Sequence, residues 1–239
     1  MKLVLIPSYN SGPKLYETVV GALQNWQDVW VVIDGSDDGS DLPLSHLDAN
    51  GLRIIRRAVN GGKGSAILDG LRTAQECGFH DVLIMDGDGQ HPVAEIPSFM
   101  TAAEQCPGAM ILGIPRFDEA APRIRVWGRK ISNLLARLES GVPIGDVLFG
   151  FRVYPVQELR AVMESSRHMR GYDFDPEVVV RLSWRGVPWH HRVVPVYYFS
   201  AEEGGISHFH YLRDNLRLVA MHLRLLSLRL LQCIGVGRR

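Results

Sequence analysis

Five short apolar runs recur along the first half of the chain and constrain its fold more than any other feature. They are Leu3–Ile6, Val29–Ile33, Leu52–Ile55, Val82–Met85 and Met110–Leu112. Continuous apolar runs suit strands that are buried on both faces, and the segments between them have helical spacing. This β-α-β-α order indicates a largely parallel sheet with crossover helices and with functional loops at the carboxyl ends of the strands. We therefore predict a single α/β domain.

Composition places further limits on the chain. Its 239 residues fit one domain, and its 26 Lys and Arg residues balance 26 Asp and Glu residues. This balance gives no whole-molecule reason to expect a nucleic-acid partner, and we predict none. The three cysteines form no CxxC pair and cannot all pair within the chain, which favours a reducing compartment and a cytoplasmic location. The apolar start is broken at Pro7, too soon for a signal peptide, so we interpret it as the first strand.

Two internal segments have clear helical spacing. The first follows Gly62 and is expected to stop at Gly78. The second has one apolar face and one strongly basic face. A solvated outer surface is the simplest interpretation of the basic face, and the pattern leaves another use open. The apolar residues of this second helix are Ile124, Trp127, Ile131, Leu134 and Leu138, and the basic residues are Arg125, Arg129, Lys130 and Arg137.

The end of the chain is leucine-rich and basic. Its uncharged stretches are far shorter than the roughly 18 residues of a membrane span. A basic amphipathic helix of this kind either lies on an anionic membrane surface or packs against the domain, and the sequence leaves both open. We therefore divide the chain into a domain over residues 1–208 and a C-terminal helix and tail over residues 209–239. Membrane contact would make the protein peripheral, on the inner face of the membrane.

An acidic loop follows the fourth apolar run. In the sequence DGDGQHP, Asp86 and Asp88 stand one residue apart on glycine-rich backbone, so both carboxylates can turn toward one hard cation, and Gln90 adds a neutral oxygen. A diphosphate about 4 Å from two bare carboxylates would be repelled by roughly 4 kcal/mol per charge pair at an effective dielectric of about 20. Bound Mg²⁺ or Mn²⁺ would reverse this repulsion and stabilise the diphosphate as a leaving group. An ordinary Asp-Gly turn is the alternative.

Two more polar loops carry candidate ligand contacts. In DGSDDGS, Asp34 can accept a hydrogen bond from a nucleobase N–H. The spacing also resembles half of an EF-hand, but Ser45 stands where that motif needs a glutamate. In RAVNGGKGS, Lys63 and the helix end that follows can attract an anion, with a plain glycine-rich turn as the alternative. This loop lacks the first glycine and the Lys-Ser/Thr order of a Walker A motif, which argues against ATPase or GTPase chemistry.

The second half of the chain adds four candidates. Arg152 lies in the strand-like run FGFRVYP and needs an anionic partner, which is either a phosphate or an internal carboxylate such as Asp146. Asp175 belongs to an acidic cluster that can cap the helix after it. His208, one of two histidines beside a glycine pair, is a candidate metal ligand, diphosphate contact or surface residue.

Five of these segments, taken in order, resemble glycosyltransferase family 2, especially its dolichyl- or polyprenyl-phosphate sugar synthase branch. They read IPSYN, VVIDGSDDGS, NGGKGSAILDGL, MDGDGQHP and FGFRVYP. The segment from Met169 to Gly186 and the sequence GISHF resemble bacterial members associated with lipid or aryl-polyene pathways. The resemblance extends from Ile6 to about Leu226. It implies a GT-A fold with a nucleotide-sugar donor at the carboxyl edge of the sheet.

The resemblance also implies roles for the candidate residues. Those expected to contact the donor are Pro7 and Tyr9 at the base pocket, Asp34 at the base N–H, Asp86 near the ribose, and Lys63 and His208 at the diphosphate. Those expected to hold the metal are Asp86, Asp88 and Gln90.

The implied reaction is an inverting transfer of a sugar to a lipid-linked or phosphate-bearing acceptor. Arg152 would hold the anionic group of that acceptor. A phosphate acceptor needs no strong base, whereas a hydroxyl acceptor would need one, for which Asp146 or Asp175 is the candidate. The predicted catalytic residues are Asp88, Asp146 and Arg152.

Three positions depart from the family pattern and keep alternatives open. Ile33 replaces the first acid of the usual Asp-Asp pair, Ser11 stands where Glu is frequent, and Phe149 replaces a small residue. One alternative is a non-catalytic protein that binds a nucleotide sugar or a lipid. Another is a sugar nucleotidyltransferase, which shares the fold but needs a glycine-rich basic loop where this chain has PSYN.

Overall fold

The computed structural model of the protein describes residues 1–47, 49–116, 123–197 and 211–234, without the side chains of residues 123–126 and 211. These ranges contain one sheet, seven α-helices and two short 3-10 helices at Pro43–His46 and Val93–Glu95. The strands are β1 (Lys2–Ser8), β2 (Val29–Asp34), β3 (Leu52–Arg57), β4 (Asp81–Ile84), β5 (Met110–Arg116), β6 (Arg152–Pro155) and β7 (Trp189–Pro195). The α-helices are α1 (Lys14–Asn25), α2 (Lys63–Glu76), α3 (Ile96–Gln105), α4 (Arg123–Ser140), α5 (Val156–Glu164), α6 (Phe174–Trp184) and α7 (Tyr211–Cys233).

The sheet has the strand order β3-β2-β1-β4-β6-β5-β7. Neighbouring strands are parallel, except that β6 runs antiparallel to both β4 and β5. The predicted α/β class and mostly parallel sheet are therefore confirmed. Because β6 runs the other way, its first residue, Arg152, pairs with Ile84 at the end of β4. The start of β6 thus lies at the same edge of the sheet as the carboxyl ends of the parallel strands.

Burial on both faces explains the continuous apolar runs that lie in or overlap β1, β2, β4 and β5. Strand β3 is an edge strand without a fully buried residue, and Arg53 interrupts its run. In β1, Leu3 and Leu5 belong to the core on one face of the sheet, and Val4 and Ile6 belong to the core on the other. Strand β7 lies outside the predicted runs. It is an edge strand with four exposed residues, so it has no need of a continuous apolar sequence.

Helix α2 begins directly after Gly62, as predicted, and its first turn packs tightly against the loop before α6. The Gly64 amide donates a hydrogen bond to the Arg170 carbonyl oxygen at 3.1 Å. A Cβ atom at Gly64 would lie 1.9 Å from the carbonyl oxygen of Met169. A side chain at this position is therefore excluded unless one of the two segments moves.

Helices α4, α6 and α7 pack together through buried polar pairs. His222 Nδ1 of α7 lies 2.7 Å from Glu139 Oε1 of α4. Glu177 of α6 pairs with Arg181 at 2.7 Å and with Arg224 of α7. The C-terminal helix thus packs on the domain, which is one of the two interpretations left open by the sequence. The predicted boundary between residues 208 and 209 lies outside the described residues.

Helix length and hydropathy also bear on membrane association. Across the described ranges, every helix falls short of the combination needed to span a bilayer.

Gly64→Ala should destabilise the protein because its Cβ would collide with backbone. Overpacking of this kind costs about 1–3 kcal/mol, and roughly 1 kcal/mol corresponds to about 2–4 °C in Tm for a chain of this size. Thermal unfolding measures the change. Gly128→Ala in α4 is the matched control, because a Cβ there meets nothing within 4 Å. The control should leave Tm unchanged or raise it, and equal Tm values for both variants would contradict the packing described.

Candidate active site

Four of the predicted site residues lie at the carboxyl edge of the sheet. Asp34 ends β2, Asp86 follows β4 after one residue, and Arg152 begins the antiparallel β6. Lys63 joins them because α2 starts from the loop that follows β3. The sheet thus brings the acidic and basic loops together at one edge.

The buried ammonium of Lys63 lies at the centre of this group. Its Nζ is 2.7 Å from Asp86 Oδ1 and 2.7 Å from Asp175 Oδ2. Burial lowers the pKa of Lys63, but the two carboxylates outweigh burial, and the net pKa is raised. Gly150 makes room for the cluster, since a Cβ there would lie 2.9 Å from Lys63 Nζ. The anions that Lys63 meets are therefore protein carboxylates, and its predicted contact with the donor stays a prediction.

His91 fixes the backbone of the acidic loop. Its Nδ1 accepts a hydrogen bond from the Asp86 amide at 2.9 Å, and its Nε2 lies 3.8 Å from Asp86 Oδ2. Burial lowers the pKa of His91 to about 4, so the ring is neutral at pH 7 with its proton assigned to Nε2. Burial raises the pKa of Asp86, but the charge of Lys63 outweighs it and the net pKa is lowered. Asp86 is therefore ionised.

Asp88 has the least compensated charge in the loop. Its Oδ1 accepts a hydrogen bond from the Gln90 amide at 3.0 Å, and no lysine or arginine in the described ranges forms an ion pair with it. Burial and the negative charge of Asp86 raise the pKa of Asp88 to about 6. A hard divalent cation shared by the two carboxylates would relieve their repulsion. The residues present thus fit the predicted Mg²⁺ or Mn²⁺.

The described residues offer two carboxylates and one neutral oxygen to a metal at the acidic loop. Among them, no three His, Cys, Asp or Glu side chains converge on a possible metal position. From these residues, an ion at the acidic loop would take two carboxylates and the Gln90 amide, with the donor diphosphate as a further ligand. Mg²⁺ commonly uses few carboxylates together with substrate phosphates.

Asp34 holds the glycine-rich loop in place. Its buried carboxylate accepts the amides of Gly61 at 3.0 Å and Gly62 at 2.7 Å, and it pairs with Arg57. These donors fill most of its acceptor positions. The contact of Asp34 with a nucleobase stays a prediction, and it would require a base N–H to replace one of these donors.

Backbone groups at the amino end of α2 already have partners within the protein. The amides of Gly64 and Ser65 donate to the Arg170 carbonyl oxygen at 3.1 and 3.3 Å, and the amide of Gly62 donates to the Asp34 carboxylate. The expectation that this helix end attracts a ligand anion stays a prediction.

The loops after β1 and β2 are tied together. The Asn10 side chain exchanges hydrogen bonds of 2.8 and 3.0 Å with Asp37, and Asp38 accepts one of 3.0 Å from the backbone of the first loop. The acids of the DGSDDGS segment therefore order a neighbouring loop. Pro7 is buried in β1, and Tyr9 lies half-buried at the start of the first loop. The predicted base pocket thus has a fixed wall, although the contacts with a base stay predictions.

Arg152 is completely buried, and its partners are not carboxylate side chains. Its guanidinium donates to the Tyr154 hydroxyl at 3.0 Å, to the Asp175 carbonyl oxygen at 2.7 Å and to the Asp146 carbonyl oxygen at 3.1 Å. With 0% of Arg152 exposed, the guanidinium is closed off from an acceptor in this conformation. Its observed role is to tie β6 to the loops on both sides.

Asp146 pairs with Arg129 of α4 and not with the side chain of Arg152. Its Oδ1 lies 2.6 Å from Arg129 Nη1 and accepts the amides two and three residues further on at 3.0 and 2.8 Å. Of the two alternatives left open by the sequence for the partner of Arg152, the Asp146 carboxylate is therefore not the one that the structure shows. Because Asp146 is committed to these donors and Asp175 to Lys63, neither candidate base has the arrangement expected of a proton acceptor.

Tyr172 is a residue of this region that the sequence patterns did not identify. Burial and the charge of Asp86 raise the pKa of its hydroxyl to about 12, with smaller effects from Asp88 and from Asp214 of α7. Charges of both the acidic loop and α7 thus act on this hydroxyl. The available signal was its place in the segment that resembles bacterial family members. His208, predicted at the donor diphosphate, lies outside the described residues.

Comparison with known proteins identifies the family. The sequence pattern described as Glycosyl transferase family 2 matches residues 3–162, which is more than half of the chain. The chain therefore belongs to glycosyltransferase family 2, as the resemblance implied.

Curated relatives belong to the polyprenyl-phosphate sugar transferase branch. Undecaprenyl-phosphate mannosyltransferase of Micrococcus luteus is 26% identical over 77% of this chain and 78% of its own length. UDP-N-acetylglucosamine--dolichyl-phosphate N-acetylglucosaminyltransferase of Methanococcus voltae is 26% identical over 70% and 74%. Undecaprenyl-phosphate 4-deoxy-4-formamido-L-arabinose transferase of Pseudomonas syringae is 29% identical over 63% of this chain, but the match spans only 46% of that protein.

Solved structures of similar fold include glucosyl-3-phosphoglycerate synthase from Mycobacterium tuberculosis. Its complex with UDP has a TM-score of 0.66 at 16% identity and covers 95% of this chain and 80% of that one. Its complex with Mn²⁺, UDP-glucose and phosphoglyceric acid has a TM-score of 0.64 at 18% identity and covers 99% and 80%. At this identity the likeness concerns the fold, and the predicted GT-A fold is confirmed.

Lys63→Met should destabilise the protein strongly. The substitution leaves Asp86 and Asp175 without their shared cation, and removing one partner of a buried ion pair costs about 3–5 kcal/mol. The Asp86 side chain is 33% exposed, so we expect the lower end, about 3 kcal/mol, in urea unfolding. Asp175→Asn in the same background should recover part of the loss.

Lys14→Met is the matched control for this substitution. Lys14 pairs at 2.8 Å with Glu17, whose side chain is 64% exposed. Exposed pairs of this kind contribute less than about 1 kcal/mol. Equal unfolding free energies for the Lys63 and Lys14 variants would contradict the central role of Lys63.

Asp88→Asn should stabilise the metal-free protein at neutral pH. Because the folded state raises the pKa of this carboxyl, its ionisation opposes folding, and the penalty is complete above about pH 6. The penalty disappears as the pH falls from about 6 towards the ordinary pKa of 3.8. Thermal unfolding in EDTA should therefore show a Tm advantage of Asp88→Asn at pH 7 that shrinks on acidification. A difference that does not vary with pH would contradict this electrostatic account.

Proposed function

We propose that the chain transfers a sugar from a nucleotide-diphosphate donor to a lipid-linked phosphate acceptor, with inversion at the anomeric carbon and with Mg²⁺ or Mn²⁺ at the acidic loop. One observation carries this proposal. In the loop after a buried strand, Asp88 has the least compensated charge and a raised pKa, and it stands near Asp86, which Lys63 holds ionised. In a chain of glycosyltransferase family 2, that excess charge is suited to a metal bound to a donor diphosphate.

The residues that bind the metal and the donor would already be held in place before either ligand binds. Asp86, Asp88 and Gln90 would hold the ion, which when bound neutralises charge on the departing diphosphate. Lys63 and His91 fix the side chain and backbone of Asp86, so little reorganisation would be needed on binding. The proposed donor contacts are Pro7, Tyr9 and Asp34 at the nucleoside and His208 at the diphosphate.

An anionic acceptor suits this site better than a hydroxyl. The two candidate bases, Asp146 and Asp175, are already bound by Arg129 and Lys63. An ionised phosphate oxygen would attack the anomeric carbon as the bond from that carbon to the diphosphate oxygen breaks, and no proton would have to be removed. The products would be a sugar joined to the lipid phosphate and a nucleoside diphosphate. The undecaprenyl-phosphate and dolichyl-phosphate sugar transferases among the relatives support this acceptor class.

The acceptor class also supports a location. A lipid-linked phosphate is held in a membrane, so we propose that the protein works as a peripheral protein on the cytoplasmic face of that membrane. Arg152 would stabilise the site through its hydrogen bonds to β6 and the neighbouring loops. It would have no direct contact with the acceptor.

Transfer by the purified protein tests the proposal. UDP- and GDP-sugars would first be screened with Mn²⁺ by thermal shift, and stabilising donors would then be incubated with a polyprenyl phosphate. Mass spectrometry should detect the glycosylated lipid phosphate, and the anomeric configuration of the sugar, read by NMR, should be inverted. EDTA and Asp88→Asn should each reduce the rate at least about 100-fold, because charge on the leaving group would go unneutralised.

Asp81→Asn at the other end of β4 is the control, and it should keep the wild-type rate. Donor binding without transfer or hydrolysis would contradict the proposal in favour of a binding protein. Release of pyrophosphate from a nucleoside triphosphate and a sugar phosphate would contradict it in favour of a nucleotidyltransferase.

A further inference from the structure

Helix α4 exposes its apolar side. Four large side chains recur at intervals of four, three and four residues, so they lie along one side of the helix. Between 57% and 66% of each is exposed, while the opposite side, with small and polar residues such as Ser132 and Ala136, is buried. The exposed row consists of Trp127, Ile131, Leu134 and Leu138.

Helix α7 repeats this arrangement. Its buried side packs through Met221 and Leu225, and its other side carries five large apolar residues that are between 55% and 78% exposed. This second row consists of Leu212, Leu216, Val219, Leu223 and Leu230. Helices α4 and α7 are neighbours, joined by the pair of Glu139 and His222, and the residues of both rows are exposed. We call the two rows together the α4/α7 face.

The charges beside the two rows all have one sign. The exposed cations are Lys130 and Arg137 on α4 and Arg213 and Arg217 on α7. The acids on the described parts of these helices, Glu139 and Asp214, are 0% and 1% exposed. The face therefore presents apolar and basic groups without an exposed acid, which complements a surface of anionic lipid headgroups.

Ion pairs connect both helices to the candidate site. Arg129 of α4 pairs with Asp146. Arg224 of α7 pairs with Glu177 in the first turn of α6, and the same turn supplies a carboxylate to the Lys63 cluster. A lipid in contact with the face would therefore lie on helices that are joined to the site.

We propose that the α4/α7 face docks on an anionic lipid membrane and so presents the site to an acceptor held in that membrane. The choice of acceptor rests on the proposed function, whereas the docking rests on exposure and charge alone. A second copy of the chain suits the face less well, because a self-complementary contact would bring its basic margins together. Apolar rows flanked by Lys and Arg are typical of helices that lie in a membrane interface.

Vesicle cosedimentation tests the docking directly. The purified full chain should pellet with phosphatidylglycerol-containing vesicles and much less with pure phosphatidylcholine vesicles. The double variant Trp127→Glu/Leu216→Glu, with one change on each row, should reduce the partition coefficient at least tenfold. Circular dichroism and Tm should be unchanged, because both side chains are exposed.

Tyr16→Glu/Leu42→Glu is the matched control, since it places the same charges on exposed apolar residues of other surfaces. It should pellet like the wild type. Equal pelleting of the docking and control variants would overturn the proposal. Sedimentation velocity that shows a wild-type dimer, split by the docking variant, together with no binding of the wild type to vesicles, would overturn it in favour of a self-association surface.

A comparison of two acceptors separates docking from catalysis. With a short, water-soluble polyprenyl phosphate, the docking variant should transfer sugar at the wild-type rate, whereas with the same headgroup embedded in vesicles its rate should fall at least tenfold. Equal losses with both acceptors would overturn the link between the face and the acceptor. If neither the wild type nor the docking variant transfers sugar to either acceptor, the proposed function is wrong. The vesicle cosedimentation would still show whether the face binds the membrane.

Discussion

The ion pairs of the buried Lys63 ammonium hold the site together. They join the start of α2, the loop after β4 and the first turn of α6 at one point. A buried charge of either sign is unfavourable alone, so each of these segments keeps its position only while the others are present. This constraint fixes Asp86 as an ionised group and leaves Asp88, among the described residues, without a lysine or arginine in an ion pair with it.

Many polar residues at the sheet edge form hydrogen bonds with other parts of the protein. Asp34 orders the glycine-rich loop, Asp146 orders the loop before β6, and Arg152 ties that strand to its neighbours. Loops at the end of a parallel sheet have backbone groups without strand partners, and buried charged side chains satisfy them. The charge that is available to bind a ligand therefore lies on the few side chains that are incompletely paired within the protein, above all on Asp88.

Sequence patterns could predict the fold and the location of the site, but not the pairings within it. Burial on both faces makes β1, β2 and the cores of β4 and β5 apolar, and parallel order brings their carboxyl ends together, so the loops of Asp34 and Asp86 were expected at one edge. The edge strand β7 lacks that signal. The contact of Lys63 with Asp175 joins residues far apart in sequence, and nothing local encodes it. Likewise, the apolar spacing of α4 indicates a helix with two faces but not that its apolar face points outward, because that depends on where α6 and α7 pack.

The proposed sugar transfer depends on a divalent ion bound between the acidic loop and a donor diphosphate. Crystals grown with Mn²⁺ and a nucleoside diphosphate, measured at the manganese absorption edge, would locate that ion directly. We expect one anomalous peak bonded to an oxygen of Asp88 and to the diphosphate, with Lys63 still between Asp86 and Asp175. A diphosphate bound at this edge with its manganese elsewhere, and with Asp88 turned away from it, would contradict the account.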